Sequence, residues 1–322
     1  MCRHTAYLGP PATLASLLTD PPHSLFRQSW APRRQRYGTV NADGFGIGWY
    51  AAGAVPARYR RGTPIWGDES LPDIARVTSS GAVLAAVRSA TSGMARGAEA
   101  AAPFGRGPWL FSHNGVAEGW RDWAEQALVQ YRRSRAGGDG TGITDGTAVT
   151  GAGPGVLSTL EALVDSAFLW TLVLDGLRAG DAMDTALAGT IGAVAAAGGS
   201  GRFNFLLTDG RSIAATACGD TLCYRQAGGA VTVASEPDDD EPGWTEVPDR
   251  HLLTATAGGV TVRPLDGAPA SPGTQASPGT QASPGAGCDR STGGEASPGG
   301  KASPAGEASP DSDVSTEGIV IA

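Results

Sequence analysis

The chain has 322 residues, of which 41% are hydrophobic, so it can bury one large core. Its formal net charge is −8, and it has neither a basic stripe nor the ~18 consecutive apolar residues of a membrane helix, which excludes nucleic acid and membranes as partners. No basic region followed by an apolar run opens the chain, so the sequence predicts a cytoplasmic protein.

Hydrophobic periodicity predicts the elements in chain order. Strands are predicted over residues 2–9, 41–50, 82–88, 109–116, 202–208, 211–217, 221–226, 230–234 and 251–263, with the 109–116 strand ending at Asn114-Gly115. Helices are predicted over residues 12–19, 118–133, 157–178 and 181–197, with a helical turn within 73–80. Strands followed by helices and again by strands are typical of an α+β fold with two packed sheets.

Composition divides the chain into one domain and a tail. Residues 2–265 carry the predicted elements, whereas residues 266–322 repeat Ala-Ser-Pro among Gly, Thr and Gln and cannot bury apolar area. The tail is therefore predicted to be disordered, and an idle extension is favoured over a docking or phosphorylation segment. The Gly- and Thr-rich residues 135–155 are predicted to be a flexible insertion.

Cysteine and histidine spacing predicts neither a disulfide framework nor a metal site. The residues concerned are far apart or irregularly spaced: Cys2, Cys218, Cys223 and Cys288, and His4, His23, His113 and His251. No metal and no cofactor is expected.

Cys2 follows the initiator methionine, and it is small enough for an aminopeptidase to remove Met1. The residue would then carry a thiol with a pKa near ~8.5 beside an α-amine with a pKa near ~7.7–8.0, which together are a nucleophile and a base. Taken alone, however, an isolated cysteine is more often an inert small hydrophobe.

Three downstream features fit the same chemistry. An Asn side-chain amide and the following N–H, here Asn114 and Gly115, can bind an oxyanion. The Arg88 fork suits a substrate carboxylate, and Asp165 suits an ammonium. Each has an alternative: Arg88 in a surface salt bridge, Asn114-Gly115 in a hairpin turn, and Asp165 on a solvent-facing helix surface.

The sequence resembles class II glutamine amidotransferase domains, which are N-terminal-nucleophile hydrolases. The resemblance covers residues 2 to about 265 and is carried by ordered motifs: Cys2, NADGFG at 41–46, VRSAT at 87–91, SHNG at 112–115 and VDSA at 164–167. It implies a four-layer αββα sandwich. Larger members often carry a histidine where this chain has Ser92.

The resemblance also implies a role for each site residue. Cys2 would attack the γ-carboxamide of a glutamyl group, and Asn114 with Gly115 would form the oxyanion hole. Arg88 would bind the substrate α-carboxylate and Asp165 the α-ammonium. The implied partner is a small γ-glutamyl molecule; the oligomeric state is not predicted.

Longer segments are similar to the branch of this family that acts in ergothioneine biosynthesis, namely residues 1–9, 28–46, 85–94 and 235–252. This branch implies hydrolysis of a γ-glutamyl amide on a hercynyl leaving group, with release of glutamate. Two alternatives stay open: a glutaminase subunit that supplies ammonia to a separate synthase, and a non-catalytic binding module.

A hercynyl group carries a trimethylammonium, which favours aromatic faces or carboxylates. Trp30, Trp49, Trp244 and the acidic residues 236–241 are therefore candidates for the leaving-group site. The alternative is that the tryptophans belong to the core and that the acidic run is a solvated loop.

Overall fold

The described part of the chain, which in this computed structural model comprises residues 2–90, 95–135 and 160–267, contains two antiparallel sheets, six α-helices and two short 3-10 helices, Ile65–Gly67 and Ala98–Ala100. The strands are β1 Arg3–Thr13, β2 Phe45–Trp49, β3 Ala57–Arg61, β4 Ser79–Val87, β5 Phe104–Arg106, β6 Trp109–Glu118, β7 Ser200–Thr208, β8 Ser212–Ala217, β9 Cys223–Ala227, β10 Ala230–Ala234, β11 Thr245–Glu246, β12 His251–Thr256 and β13 Gly259–Pro264. The helices are α1 Leu14–Leu18, α2 Leu25–Gln28, α3 Leu71–Val77, α4 Trp120–Arg135, α5 Asp165–Arg178 and α6 Met183–Ala196.

Sheet I has the strand order β11-β9-β10-β1-β4-β2-β3, and sheet II has the order β13-β12-β8-β7-β6-β5. β1 is the central strand of sheet I and pairs with β10 on one side and β4 on the other. The residues at the N-terminus are therefore held at the middle of a sheet rather than at an edge.

Alternating side chains along the strands produce separate hydrophobic layers. Leu84, Leu110 and Leu206 pack between the two sheets. Helices α1–α3 cover the outer face of sheet I, and α4–α6 cover the outer face of sheet II. The layers follow the order helix, sheet, sheet, helix, which confirms the predicted α+β, four-layer αββα sandwich.

Two predicted strand ends were wrong. β1 does not stop at Gly9 but runs to Thr13, because a register shift between Leu8 and Ala12 leaves the intervening prolines without partners in β4. β6 does not stop at Asn114-Gly115 but continues to Glu118, because β7 pairs with it along this whole stretch. The local turn preference of Asn-Gly is overridden by sheet pairing.

The predicted helix over 157–178 begins only at Asp165, since Val164 before it has an extended backbone conformation. Residues 157–159 lie outside the described residues, as do nearly all of the predicted insertion and tail and also Ser92. The domain boundary at residue 265 stays a prediction. Within the described ranges, no helix is long and apolar enough to cross a membrane.

Candidate active site

Cys2 stands directly before β1 and is half-buried. Its backbone nitrogen donates a hydrogen bond to Asn114 Oδ1 at 3.2 Å. Asn114 lies on β6 and is completely buried, so this contact crosses from sheet I to sheet II. Because an N–H must face an oxygen, the bond determines which end of the Asn114 amide is the carbonyl.

Ser235 holds the other end of the Asn114 amide. The Asn114 Nδ2 atom donates to Ser235 Oγ at 3.4 Å, and the same oxygen accepts the His4 N–H at 3.0 Å. The Ser235 N–H in turn donates to the His4 carbonyl at 2.9 Å. This buried serine, which follows β10, opens the 235–252 segment that carries the resemblance, but no role of its own was predicted for it from the sequence.

Gly115 lies where no other residue fits. A Cβ atom there would overlap the Arg202 carbonyl oxygen and His113 Nε2. Two hydrogen bonds hold the His113 ring in that space: Nε2 lies 2.9 Å from the Arg202 carbonyl oxygen, and Nδ1 lies 3.0 Å from Ser166 Oγ. A carbonyl can only accept, so Nε2 carries the proton and Nδ1 accepts from the serine hydroxyl. Burial lowers the pKa of His113, which keeps the ring neutral.

Arg88 follows the end of β4. Since Arg3 pairs with Val87 in the ladder between β1 and β4, Arg88 lies one position further, beside Cys2. It is only 8% exposed, and its Nη1 atom donates to the Asp43 carbonyl at 3.3 Å. Among the described residues no carboxylate forms an ion pair with it, so the alternative of a surface salt bridge fails. A buried guanidinium without a carboxylate is energetically costly.

Asp165 is the first residue of α5 and is 6% exposed. Its Oδ2 atom accepts the Ala117 N–H at 3.0 Å, and Oδ1 accepts the Ser166 N–H at 2.8 Å. The carboxylate therefore lies near the backbone two residues beyond Gly115, and the solvent-facing alternative was wrong. Within the part of the chain that the structure describes, no arginine or lysine forms an ion pair with it.

The sandwich thus brings the five predicted site residues to the same end of the molecule. Cys2 and Asn114 are joined directly, Gly115 follows in β6, and a buried cation and a buried anion flank them in sheet I and at α5. This arrangement can present a thiol to a carbonyl group and can bind one cationic and one anionic group of a ligand.

The tryptophans proposed for the leaving group occupy different surroundings. Trp49 packs against the core between sheet I and its helices. Trp30 lies on the surface, edge-on to Phe26 and Trp66. Trp244 donates its indole N–H to Asp239 at 2.9 Å. The structure therefore assigns Trp49 to the core, as the alternative expected.

The acidic run is not a freely solvated loop. Glu236 is completely buried, and its two oxygens accept the Arg33 N–H at 2.9 Å and the Arg34 N–H at 2.7 Å. Further along, Arg225 binds Asp239 at 2.7 Å. Glu236 thereby anchors the loop over residues 29–41, whose ends are joined by the Asn41 N–H to Ser29 carbonyl bond of 2.6 Å.

The other described cysteines differ from Cys2 in their surroundings. Cys218 and Cys223 are buried and unpaired. Burial raises the pKa of Cys218 to about 11 and also raises the pKa of Cys223, so both stay protonated at neutral pH. Over the described ranges no group of three or more His, Cys, Asp or Glu side chains is placed to hold a metal ion.

Two solved structures share the fold of this chain. A glutamine aminotransferase class-II domain protein from Silicibacter pomeroyi aligns with a TM-score of 0.54 at 23% identity over 83% of this chain and 100% of that chain. The glutamine phosphoribosylpyrophosphate amidotransferase of B. subtilis aligns with a TM-score of 0.51 at 16% identity over 82% of this chain and 49% of that chain. The fold is therefore that of the class II glutamine amidotransferases.

Proteins of similar sequence identify the family to which the chain belongs. The γ-glutamyl-hercynylcysteine sulfoxide hydrolase of Mycobacterium tuberculosis H37Rv is 40% identical over 83% of this chain and 98% of the relative. The Mycolicibacterium smegmatis protein of the same name is 39% identical over 82% of this chain and 100% of the relative. The chain belongs to the γ-glutamyl-hercynylcysteine sulfoxide hydrolase family. No protein-family model matches it.

Proposed function

We propose that this protein hydrolyses the γ-glutamyl amide of γ-glutamyl-hercynylcysteine sulfoxide, releasing glutamate and hercynylcysteine sulfoxide in ergothioneine biosynthesis. The observation that carries the proposal is a pair of buried charges, Arg88 beside Cys2 and Asp165 beside the backbone beyond Gly115, neither of which has an ion-pair partner within the described residues. The α-carboxylate and α-ammonium of a γ-glutamyl group would neutralise both. Its γ-carbonyl would then extend toward the thiol.

The first half of the reaction forms a thioester. Removal of Met1 frees the Cys2 α-amine, which takes the thiol proton while the sulfur attacks the γ-carbonyl carbon. The resulting oxyanion accepts hydrogen bonds from Asn114 Nδ2 and the Gly115 N–H. As the C–N bond breaks, the α-ammonium returns its proton to the leaving nitrogen, so the amine departs neutral and the glutamyl group stays on sulfur.

The second half releases glutamate. The Cys2 amine takes a proton from water as the water oxygen attacks the thioester carbonyl, and the C–S bond then breaks. The departing thiolate regains the proton from the α-ammonium, which restores the free enzyme. Asn114 serves both halves, because Oδ1 orients the Cys2 nitrogen at 3.2 Å while Nδ2 remains a donor.

Glutamate release tests the proposal. We expect kcat/KM for γ-glutamyl-hercynylcysteine sulfoxide to exceed that for glutamine by orders of magnitude and Cys2→Ala to abolish turnover. A preference for glutamine would indicate instead a glutaminase subunit for a separate synthase. Undiminished turnover by Cys2→Ala would refute the cysteine mechanism, and inactivity of the wild-type protein with processed Cys2 on every substrate would indicate a binding module.

A cytoplasmic location is part of the proposal. Fractionation of cells that express the chain with its natural N-terminus would test it, and recovery with the membrane or secreted fraction would contradict it.

A further inference from the structure

A second group of buried polar residues lies next to Asn114, on the neighbouring strand. Asn204 of β7 pairs with Asn114 across the sheet. Its side chain holds the connection between β8 and β9, because Oδ1 accepts the Cys218 N–H at 2.9 Å and the Asp220 N–H at 3.1 Å. Asn204 Nδ2 also donates to the Asp220 carbonyl at 2.9 Å. Asp220 is thereby held close to β6, the strand that carries Asn114.

Arg202 extends this group toward the solvent. Its Nε atom donates to Asp220 Oδ2 at 3.2 Å, and its guanidinium lies 4.2 Å from the centre of the Tyr37 ring. Arg202 pairs with Val116, two residues beyond Asn114, so it is a diagonal neighbour of Asn114 at roughly 7–8 Å. Arg202 is only 8% exposed, whereas Tyr37 is 44% exposed, so the arginine lies beneath a ring that borders the solvent.

Several charged side chains surround the Asp220 carboxyl. Arg3 lies 4.0 Å from Glu236, and the guanidiniums of Arg3, Arg36 and Arg202 all lower the pKa of Asp220 against the larger raising effect of burial. Arg202 also donates a hydrogen bond to the Asp220 carboxylate. Because arginine stays protonated in proteins, Arg202 carries a positive charge on the strand next to Asn114.

We propose that Arg202, with Arg36 beside it and Tyr37 stacked on its guanidinium, binds the α-carboxylate of the leaving amine. This inference rests on the proposed function. In an amide formed with a cysteine-type amino acid, the carboxylate carbon is two bonds from the scissile nitrogen. A carboxylate that close to the reacting bond requires a cation near the oxyanion site, and Arg202, the diagonal neighbour of Asn114, supplies one. Ammonia, the leaving group of glutamine, lacks such a carboxylate.

The test compares two substrates on the same enzyme preparation: γ-glutamylcysteine S-conjugate and γ-glutamyl ethylamide, which has no leaving-group carboxylate. For Arg202→Gln we expect the ratio of their kcat/KM values to fall ~10–100-fold, the worth of a hydrogen bond to a charged group. Arg202→Lys should recover part of this loss. The exposed Arg36→Gln should lower the ratio by a smaller factor without unfolding the protein.

The control is Arg263→Gln on β13, where the arginine pairs with Asp184 at 3.0 Å, and it should leave the ratio unchanged. The ratio is independent of the folded fraction, so partial unfolding of a variant does not obscure the result. An equal loss on both substrates, or no loss on either, in the Arg202 and Arg36 variants would overturn the subsite. Failure of the wild-type enzyme on both substrates would instead refute the proposed function itself.

Discussion

The Asp165 carboxylate accepts the N–H of Ala117 at 3.0 Å, which ties the first turn of α5 to β6 two residues beyond Gly115. A second backbone N–H, that of Ser166, occupies the other oxygen at 2.8 Å. Neither bond neutralises the carboxylate. The charge is therefore held in a fixed position.

Asp165→Asn should weaken substrate binding. The amide keeps the size of the side chain but removes the charge and turns an NH2 group toward a backbone N–H. We expect kcat/KM for γ-glutamyl substrates to fall ~10–100-fold, mainly through KM, because a charged hydrogen bond is lost. Asp175→Asn on the same helix, where the aspartate pairs with Arg132 at the surface, is the matched control and should change neither constant. An unchanged KM for Asp165→Asn would argue against the ammonium role.

An N-terminal extension should inactivate the enzyme. In an uncleaved fusion the Cys2 nitrogen is a peptide N–H, which still donates to Asn114 Oδ1 but cannot take up a proton. We expect kcat to fall ~10²–10⁴-fold, the usual contribution of a general base. Steady-state rates before and after proteolytic release of Cys2 measure the effect, and the mass of the active form should lack Met1. Full activity of the uncleaved fusion would contradict a base at the α-amine.

Gly115→Ala should damage both stability and catalysis. The added Cβ would overlap the Arg202 carbonyl and His113 Nε2, so the His113 ring or the β7 backbone must shift. We expect a loss of about 1–3 kcal/mol in the free energy of unfolding, as for other overpacked sites, together with a lower kcat. Urea denaturation and glutamate release provide the two measurements.

Gly192→Ala is the control for this substitution. Gly192 lies within α6, and nothing stands within 4 Å of a Cβ added there. Alanine is the better helix former by roughly 0.5–1 kcal/mol, so this variant should be more stable than the wild type and equally active. Equal stability of the two variants would show that the space beside Gly115 is not restrictive.

Sequence reasoning succeeded where the signal is local. The pattern of apolar residues predicted most of sheets I and II and their packing as two layers, whereas the four-layer order was implied by the family resemblance. It failed where pairing overrides local preference. Asn114-Gly115 has the composition of a turn, yet β7 pairs with it in register and the strand continues. Leu157, Leu160 and Leu163 continue a helical pattern in the sequence, but the helix begins only at Asp165, whose carboxylate accepts the Ser166 N–H.

The site residues also divide into those with a local sequence signal and those placed only by strand pairing. Cys2 is marked by its position in the chain and Arg88 by its place after an apolar run. Ser235, in contrast, meets Asn114 across 121 residues of sequence, and Arg202 is placed only by the β6–β7 register. Contacts of this kind depend on how whole strands align, which a single sequence does not encode in any short motif.

The connection after β10 contains a carboxyl group, that of Asp238, whose ionisation opposes folding. Burial, reinforced by the charge of Asp239, raises the pKa of Asp238 to about 6 from an ordinary value of 3.8, while Arg225 and His23 act in the opposite direction. The folded state therefore favours the protonated acid. The stabilisation is present below about pH 4 and is lost as the pH rises through 6, so the ionised carboxylate destabilises the fold at neutral pH.

Asp238→Asn should remove this pH dependence. The variant should gain on the order of 1–3 kcal/mol in the free energy of unfolding relative to wild type between pH 4 and pH 7.5. Urea denaturation of both proteins at the two pH values measures the difference between their free energies of unfolding. The other titrating groups are the same in both proteins, so their contributions cancel in this difference. Asp73→Asn, at an exposed position of α3, is the control and should show no such gain. A constant difference between Asp238→Asn and wild type at the two pH values would mean that Asp238 ionises normally in the folded protein.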